Sequence, residues 1–122
     1  MRRAKTATAA SDVPLSEIKA EMFKALAHPA RIRALEVLAE GDRSVSAMLP
    51  FVGIESSHLS QQLGVLRRAG LVATHKEGSS VIYSLKDPLV GELLLIAKRF
   101  LLKSIEERTA LGASLSLQVV GR

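Results

Sequence analysis

The stretch SSHLSQQLGVLRRAGLV, Ser56 to Val72, decides how the chain is read. Leu59, Leu63 and Leu66 recur at helical spacing, so one side of a helix is buried. At 100° per residue the opposite side carries Ser57, Gln61, Gly64 and Arg68, with Ser56, Ser60 and Arg67 on one flank. An ordinary solvated helix face favours Glu, Lys and Ala, because serine and glycine weaken a helix. This face is uncharged at its start, dense in hydrogen-bonding groups and basic at its end. It is built to dock on something.

The segments before it are helical as well. Leu15, Ile18, Met22, Phe23 and Leu26 share a face of a first helix. AHPARIRALEVLAEGDRS then restarts, with Pro29 in the first turn, Ile32, Leu35 and Leu38 along one side, and Gly41 as the stop. His28, between the two helices, reads as a local cap or packing element and not as a ligand. SVSAMLP is expected to form a short helix started by Ser44 and ended by Pro50, followed by a turn at Gly53. A short helix, a glycine turn and a second helix with a polar outer face form a helix-turn-helix.

LVATHKEGSSVIYSL follows directly and reads as two strands, Leu71 to His75 and Val81 to Leu85. In the second, Val81, Tyr83 and Leu85 fall on one side. A hairpin placed there is a wing, and Lys76, Ser79 and Ser80 at its tip suit phosphate contacts. Asp87 then caps a long last helix with Pro88 in its first position. The main apolar stripe of that helix is Val90, Leu93, Leu94, Ala97, Leu101 and Ile105, while Leu95 and Leu102 project from nearly the opposite side. A helix apolar on two sides has more to bury than one small domain covers. A homodimer seam is therefore expected, formed by Leu94, Leu95, Ile96, Leu101 and Leu102 together with Leu15, Ile18 and Met22 of the first helix.

Composition sets the outer bounds. The 122 residues suit one domain: residues 14–109 as the folded unit, 1–13 as a disordered tail and 110–122 as a tail whose structure the pattern leaves open. A minor-groove arm made of Arg2, Arg3 and Lys5 is the alternative for the first tail. With 17 basic against 12 acidic residues the chain carries +5, which attracts polyanions. It has no cysteine, so disulfides, thiolate metal sites and a cysteine nucleophile are excluded. The basic start lacks the apolar core of a signal peptide, and LLLIAKRFLL is too short to span a bilayer, so a cytoplasmic protein with no membrane partner is expected.

Taken together, LAHPARIRAL, LSQQLGVLRRAGLV, the wing and the long last helix resemble the ArsR/SmtB family of bacterial transcriptional repressors, over roughly residues 15–108. The resemblance implies a mainly α fold with a small β-hairpin wing, a winged helix-turn-helix. It also implies a homodimer that binds a palindromic operator in double-stranded DNA and usually lets go on meeting an effector. Mapped onto this chain, the recognition helix runs from about Glu55 to Arg68. Its first turns meet base edges through Ser56, Ser57, Ser60 and Gln61. Gln61 is the sharpest candidate, because an amide pairs with both N6 and N7 of adenine. Arg67 and Arg68 would hold phosphate. His58, on the flank near Val65, is divided between a backbone contact and packing, and helix capping is the competing role for Ser56 or Ser57.

The chain departs from the family at its sensor. Where metal-sensing members commonly carry a cysteine pair it has SVSAML, and its last helix holds Glu92, Glu106 and Glu107 but no histidine. His28, His58 and His75 are its only imidazoles, so the usual ligand sets do not assemble within one subunit. No cofactor or metal is assigned, and the effector stays open. Three other readings compete. One is a repressor responding to metal through an atypical His and carboxylate site between subunits. Another is a winged-helix module that binds protein instead of DNA. An enzyme is disfavoured, because no nucleophile–base set and no phosphate-cradling loop is recognisable.

Overall fold

Each helix boundary follows from a residue that satisfies, or cannot supply, a backbone hydrogen bond. In the computed structural model, which describes residues 13–120, α1 spans Leu15–Leu26 and α2 spans Pro29–Ala39. His28 stands between them in extended backbone, and its Nδ1 accepts the N–H of Ala30 at 3.0 Å. Pro29, at the first position of α2, has no N–H to satisfy. His28 is thus a cap, as its place in the sequence suggested.

Arg43–Ser44 form a two-residue strand, β1, that leads into α3, Val45–Val52. Ser44 Oγ accepts the N–H of Ala47 at 3.2 Å and caps α3 as expected. Pro50 does not end this helix. It lies inside α3, which runs on to Gly53, where the backbone turns left-handed (φ 77°) and the Gly53 N–H closes on Leu49 O at 3.1 Å. A proline near the C-terminal end forfeits one bond, and the glycine reversal, which has no Cβ to clash, supplies the actual stop. After that turn comes α4, Ser56–Arg68.

The wing is β2, Val72–Glu77, paired antiparallel with β3, Ser80–Leu85, in the register Val72↔Leu85 to Glu77↔Ser80. Both strands reach nearer the tip than their hydrophobic pattern predicts, because exposed residues there still pair through the backbone. The turn is two residues, Gly78 and Ser79, with positive φ only at the glycine, the pattern of a type II′ hairpin. β1 joins the far side of β3, Arg43↔Tyr83 and Ser44↔Ile82, making a three-stranded sheet of order β1-β3-β2. Two residues reading RS carry no periodicity, so nothing local announces β1.

The core is aliphatic. Leu35, Met48, Leu59, Leu63 and Leu66 are fully buried where α2, α3 and α4 meet. α5, Pro88–Val120, begins with Asp87 Oδ1 accepting the N–H of Leu89 at 2.8 Å, and it sets Val90, Leu93 and Leu94 against that core. Gly91 permits the approach: a Cβ there would stand 3.2 Å from Ala39 Cβ and 3.4 Å from Leu85 Cδ1.

The single subunit covers only part of its first and last helices. From Ala97 onward the apolar stripe of α5 is not covered, and Leu101 and Ile105 are exposed, because the domain is shorter than the helix. On α1 only Met22, Ala25 and Leu26 reach the core, leaving Leu15, Ile18 and Phe23 outside it. Met22 and Leu94 therefore serve the subunit's own core. The helix also continues through Gly112 to Val120, where the sequence pattern left the chain unplaced. A single helical glycine costs only about 1 kcal/mol and does not compel a break. At 33 residues α5 is roughly 50 Å long, and no helix among the described residues is long and apolar enough to cross a membrane.

Candidate nucleic-acid interface

The leucines of α4 settle its orientation. Leu59, Leu63 and Leu66 are each 0% exposed, which turns Ser57, Gln61 and Arg68 outward. Glu55 is the N-cap and makes no side-chain cap bond, so Ser56, Ser57 and His58 occupy the first three helical positions. Neither serine is the cap, and both are exposed, as are Ser60 and Gln61. The helix lacks internal carboxylates, and its last turn holds Arg67 and Arg68, a favourable end of the helix dipole for cations. Glu55, at the head of the helix, places one exposed carboxylate just ahead of this polar face.

His58 is exposed and meets the His28 ring edge-to-face, with centroids 6.1 Å apart, so it leans on the cap of α2. Arg68 folds back along α4. A Cβ on Gly64 would lie 3.3 Å from its Nη1, so a guanidinium covers the helix surface that the glycine leaves bare. The middle of the face therefore carries positive charge.

The wing follows α4 without a linker of any length. The Leu71 N–H bonds Leu66 O at 2.9 Å, and the Lys86 N–H returns to Leu71 O at 3.0 Å, clasping both ends of the hairpin to the end of α4. Lys76, Ser79 and Ser80 are exposed at the tip. So is Glu77, which the sequence reading passed over; its Oε2 lies 3.0 Å from His75 Nε2. The tip is therefore less basic than Lys76 alone suggests.

Two further side chains position the helix and were not legible beforehand. Arg31 Nε donates to Gln62 Oε1 at 2.7 Å, and Arg33 Nε donates to the carbonyl of Phe51 at 3.0 Å, tying α2 to α4 and to the end of α3. Arg43 stacks on the Phe51 ring at 5.0 Å to the centroid and holds the same corner. Among the described residues, no three His, Asp or Glu side chains converge as a metal site would require.

Known proteins place this geometry. A family model described as "Bacterial regulatory protein, arsR family" matches residues 28–74, from the His28 cap into the wing. The HTH-type transcriptional regulator Rv0081 of Mycobacterium tuberculosis is 56% identical over 98 residues, covering 80% of this chain and 86% of that protein. Its crystal structure superposes with a TM-score of 0.73 at 55% identity, over 80% of this chain and 99% of the other. The transcriptional repressor BigR from Xylella fastidiosa aligns with a TM-score of 0.65 at 33% identity, over 70% of this chain and 87% of that one. The homodimeric winged helix-turn-helix DNA-binding domain of a possible ArsR-family regulator from Mycobacterium bovis aligns with a TM-score of 0.73 at 27% identity, over 86% and 95%. With its capped α2, glycine turn, polar α4 and wing in that order, the chain belongs to the arsR family of bacterial regulatory proteins and is a transcriptional regulator with a winged helix-turn-helix DNA-binding domain.

Proposed function

We propose that the protein is a repressor that binds a palindromic operator as a homodimer, one α4 per subunit entering successive major grooves. One observation carries the DNA contact: the outward face of α4 presents exposed Ser56, Ser57, Ser60 and Gln61, with Arg67 and Arg68 at its end and no carboxylate among them. Side chains at the start of such a helix reach base edges, and guanidinium groups at its end hold phosphate and fix the register. Gln61 reads adenine. His58, Lys76, Ser79 and Ser80 contact the backbone on either side.

Exposed apolar surface supports the dimer. Leu15 is 64% exposed, Ile18 50%, Leu95 46%, Ile96 60%, Leu101 54% and Leu102 49% in the single subunit. Side chains of this kind on two helices mark an interaction face. The homodimeric M. bovis relative supports the dimer, and the Agrobacterium fabrum biofilm growth-associated repressor, 41% identical over 73 residues, supports repression. A two-fold pair sets its recognition helices roughly 34–36 Å apart, one turn of B-DNA. Release then amounts to a change in their separation or tilt, with α1 and α5 as the levers.

Footprinting the purified protein on the DNA upstream of its own gene tests this. Two protected half-sites centred one helical turn apart are expected. Protection without a repeated half-site, or none at concentrations that bind random duplex, would refute it.

A further inference from the structure

Ala25 O, in the last turn of α1, would take its helical hydrogen bond from residue 29, but residue 29 is proline and has no N–H. The chain fills the vacancy from elsewhere. Arg31 Nη1 donates to Ala25 O at 3.1 Å, while Nε of the same guanidinium donates to Gln62 Oε1 at 2.7 Å. One half-buried planar group therefore joins the end of α1, the start of α2 and the middle of α4.

Gln61 and Gln62 differ by 100° around α4. Gln61 faces out with the serines, and Gln62 lies beside the buried stripe, half-covered. The leucine contacts are non-directional, whereas a hydrogen bond weakens steeply once donor and acceptor lose alignment. A bond at Gln62 thus resists rotation of α4 about its own axis, and whatever holds Gln62 inward aims Gln61 outward.

We infer that Arg31 and Gln62 form a positioning clamp that sets the roll of α4 and couples it to α1, so that operator discrimination depends on two residues that face away from DNA. The inference rests on the proposed reading of α4 as the groove-entering helix. Both guanidinium bonds require the forked geometry that only arginine supplies; a lysine ammonium in its place keeps the charge and loses the fork.

The test compares the wild type with Gln62→Leu, Arg31→Lys and Gln62→Glu on the footprinted duplex and on a random duplex of equal length. Loss of the bond is expected to weaken operator binding by about tenfold in Gln62→Leu and Arg31→Lys, with random-duplex affinity and its salt slope held within about twofold. Gln62→Glu restores an acceptor and the discrimination ratio. The Arg31→Lys/Gln62→Leu double variant loses no more than Arg31→Lys alone, because Arg31→Lys already removes the bond that Gln62→Leu removes. If Gln62→Leu melts too low to assay, the ratio for Arg31→Lys decides. A Gln62→Leu protein that discriminates as well as a discriminating wild type overturns the clamp alone. Equal losses on both duplexes overturn it too, since they signal general unfolding. A wild type that binds both duplexes alike refutes the reading of α4 and takes the clamp with it.

Discussion

At the residue scale, the two glutamines of α4 show how one amide serves opposite ends according to where the helix turns it. Gln61, exposed, can offer both a donor and an acceptor to a base edge. Replacing it by alanine is expected to cost about 1–3 kcal/mol of operator binding, read by titration, while random-duplex affinity stays constant. Equal losses on both duplexes would remove it as a base reader. Gly64 makes a sharper probe. Gly64→Ala should raise the stability of the fold by roughly 0.5–1 kcal/mol, because glycine is the poorer helix former. The new methyl meets only the far end of Arg68, 3.3 Å away, which is free to swing. The same change should weaken operator binding by displacing that guanidinium. A melt that rises while affinity falls is the expected pair. A rise in both would show that the placement of Arg68 over Gly64 is irrelevant to DNA.

Elements of this chain are bounded by single residues whose chemistry is local, and their loss is costed at that level. Asp87 Oδ1 holds the Leu89 N–H at 2.8 Å at the head of α5, and Asp87→Ala is expected to cost about 1 kcal/mol in denaturant unfolding. Gly53 turns the chain between α3 and α4 at φ 77°. A residue bearing a Cβ there pays roughly 1–2 kcal/mol, so Gly53→Ala should lower the melting temperature although it touches nothing within 4 Å. A Gly53→Ala protein of unchanged stability would mean that the turn relaxes to another path, with α4 displaced. Pro50 is instructive beside it. It looks like the stronger stop signal, yet α3 passes through it, because the reversal at Gly53 supplies a bonded end and the proline alone does not.

For the whole molecule, the governing quantity is surface that one subunit leaves open. Replacing Leu95 and Leu102 together by glutamate is expected to shift sedimentation from dimer to monomer and to abolish cooperative binding to a two-half-site duplex. A dimer of unchanged affinity would exclude that side of α5 from the seam. A dimer gripping 6–10 phosphates should also lose on the order of 10³–10⁵ in affinity between 50 and 200 mM salt. A near-flat response would favour a protein partner over DNA.

What the linear chain determined is what short-range chemistry encodes. The caps at His28, Ser44 and Asp87, the outward face of α4, the hairpin and the family likeness all rest on residues a few positions apart, where helical and strand periods act. The polar face proposed to meet DNA was legible as a pattern of groups opposite Leu59, Leu63 and Leu66. Tertiary structure alone decided the rest. Arg31 and Gln62 meet across 31 positions, and β1 exists only because β3 offers it an edge. Arg68 lies over Gly64 because its long side chain selects one rotamer among many, and α5 stays covered only as far as the smaller domain reaches. No period connects such pairs. Their geometry depends on how whole elements pack, and that packing is a sum of many small contacts that no local stretch contains.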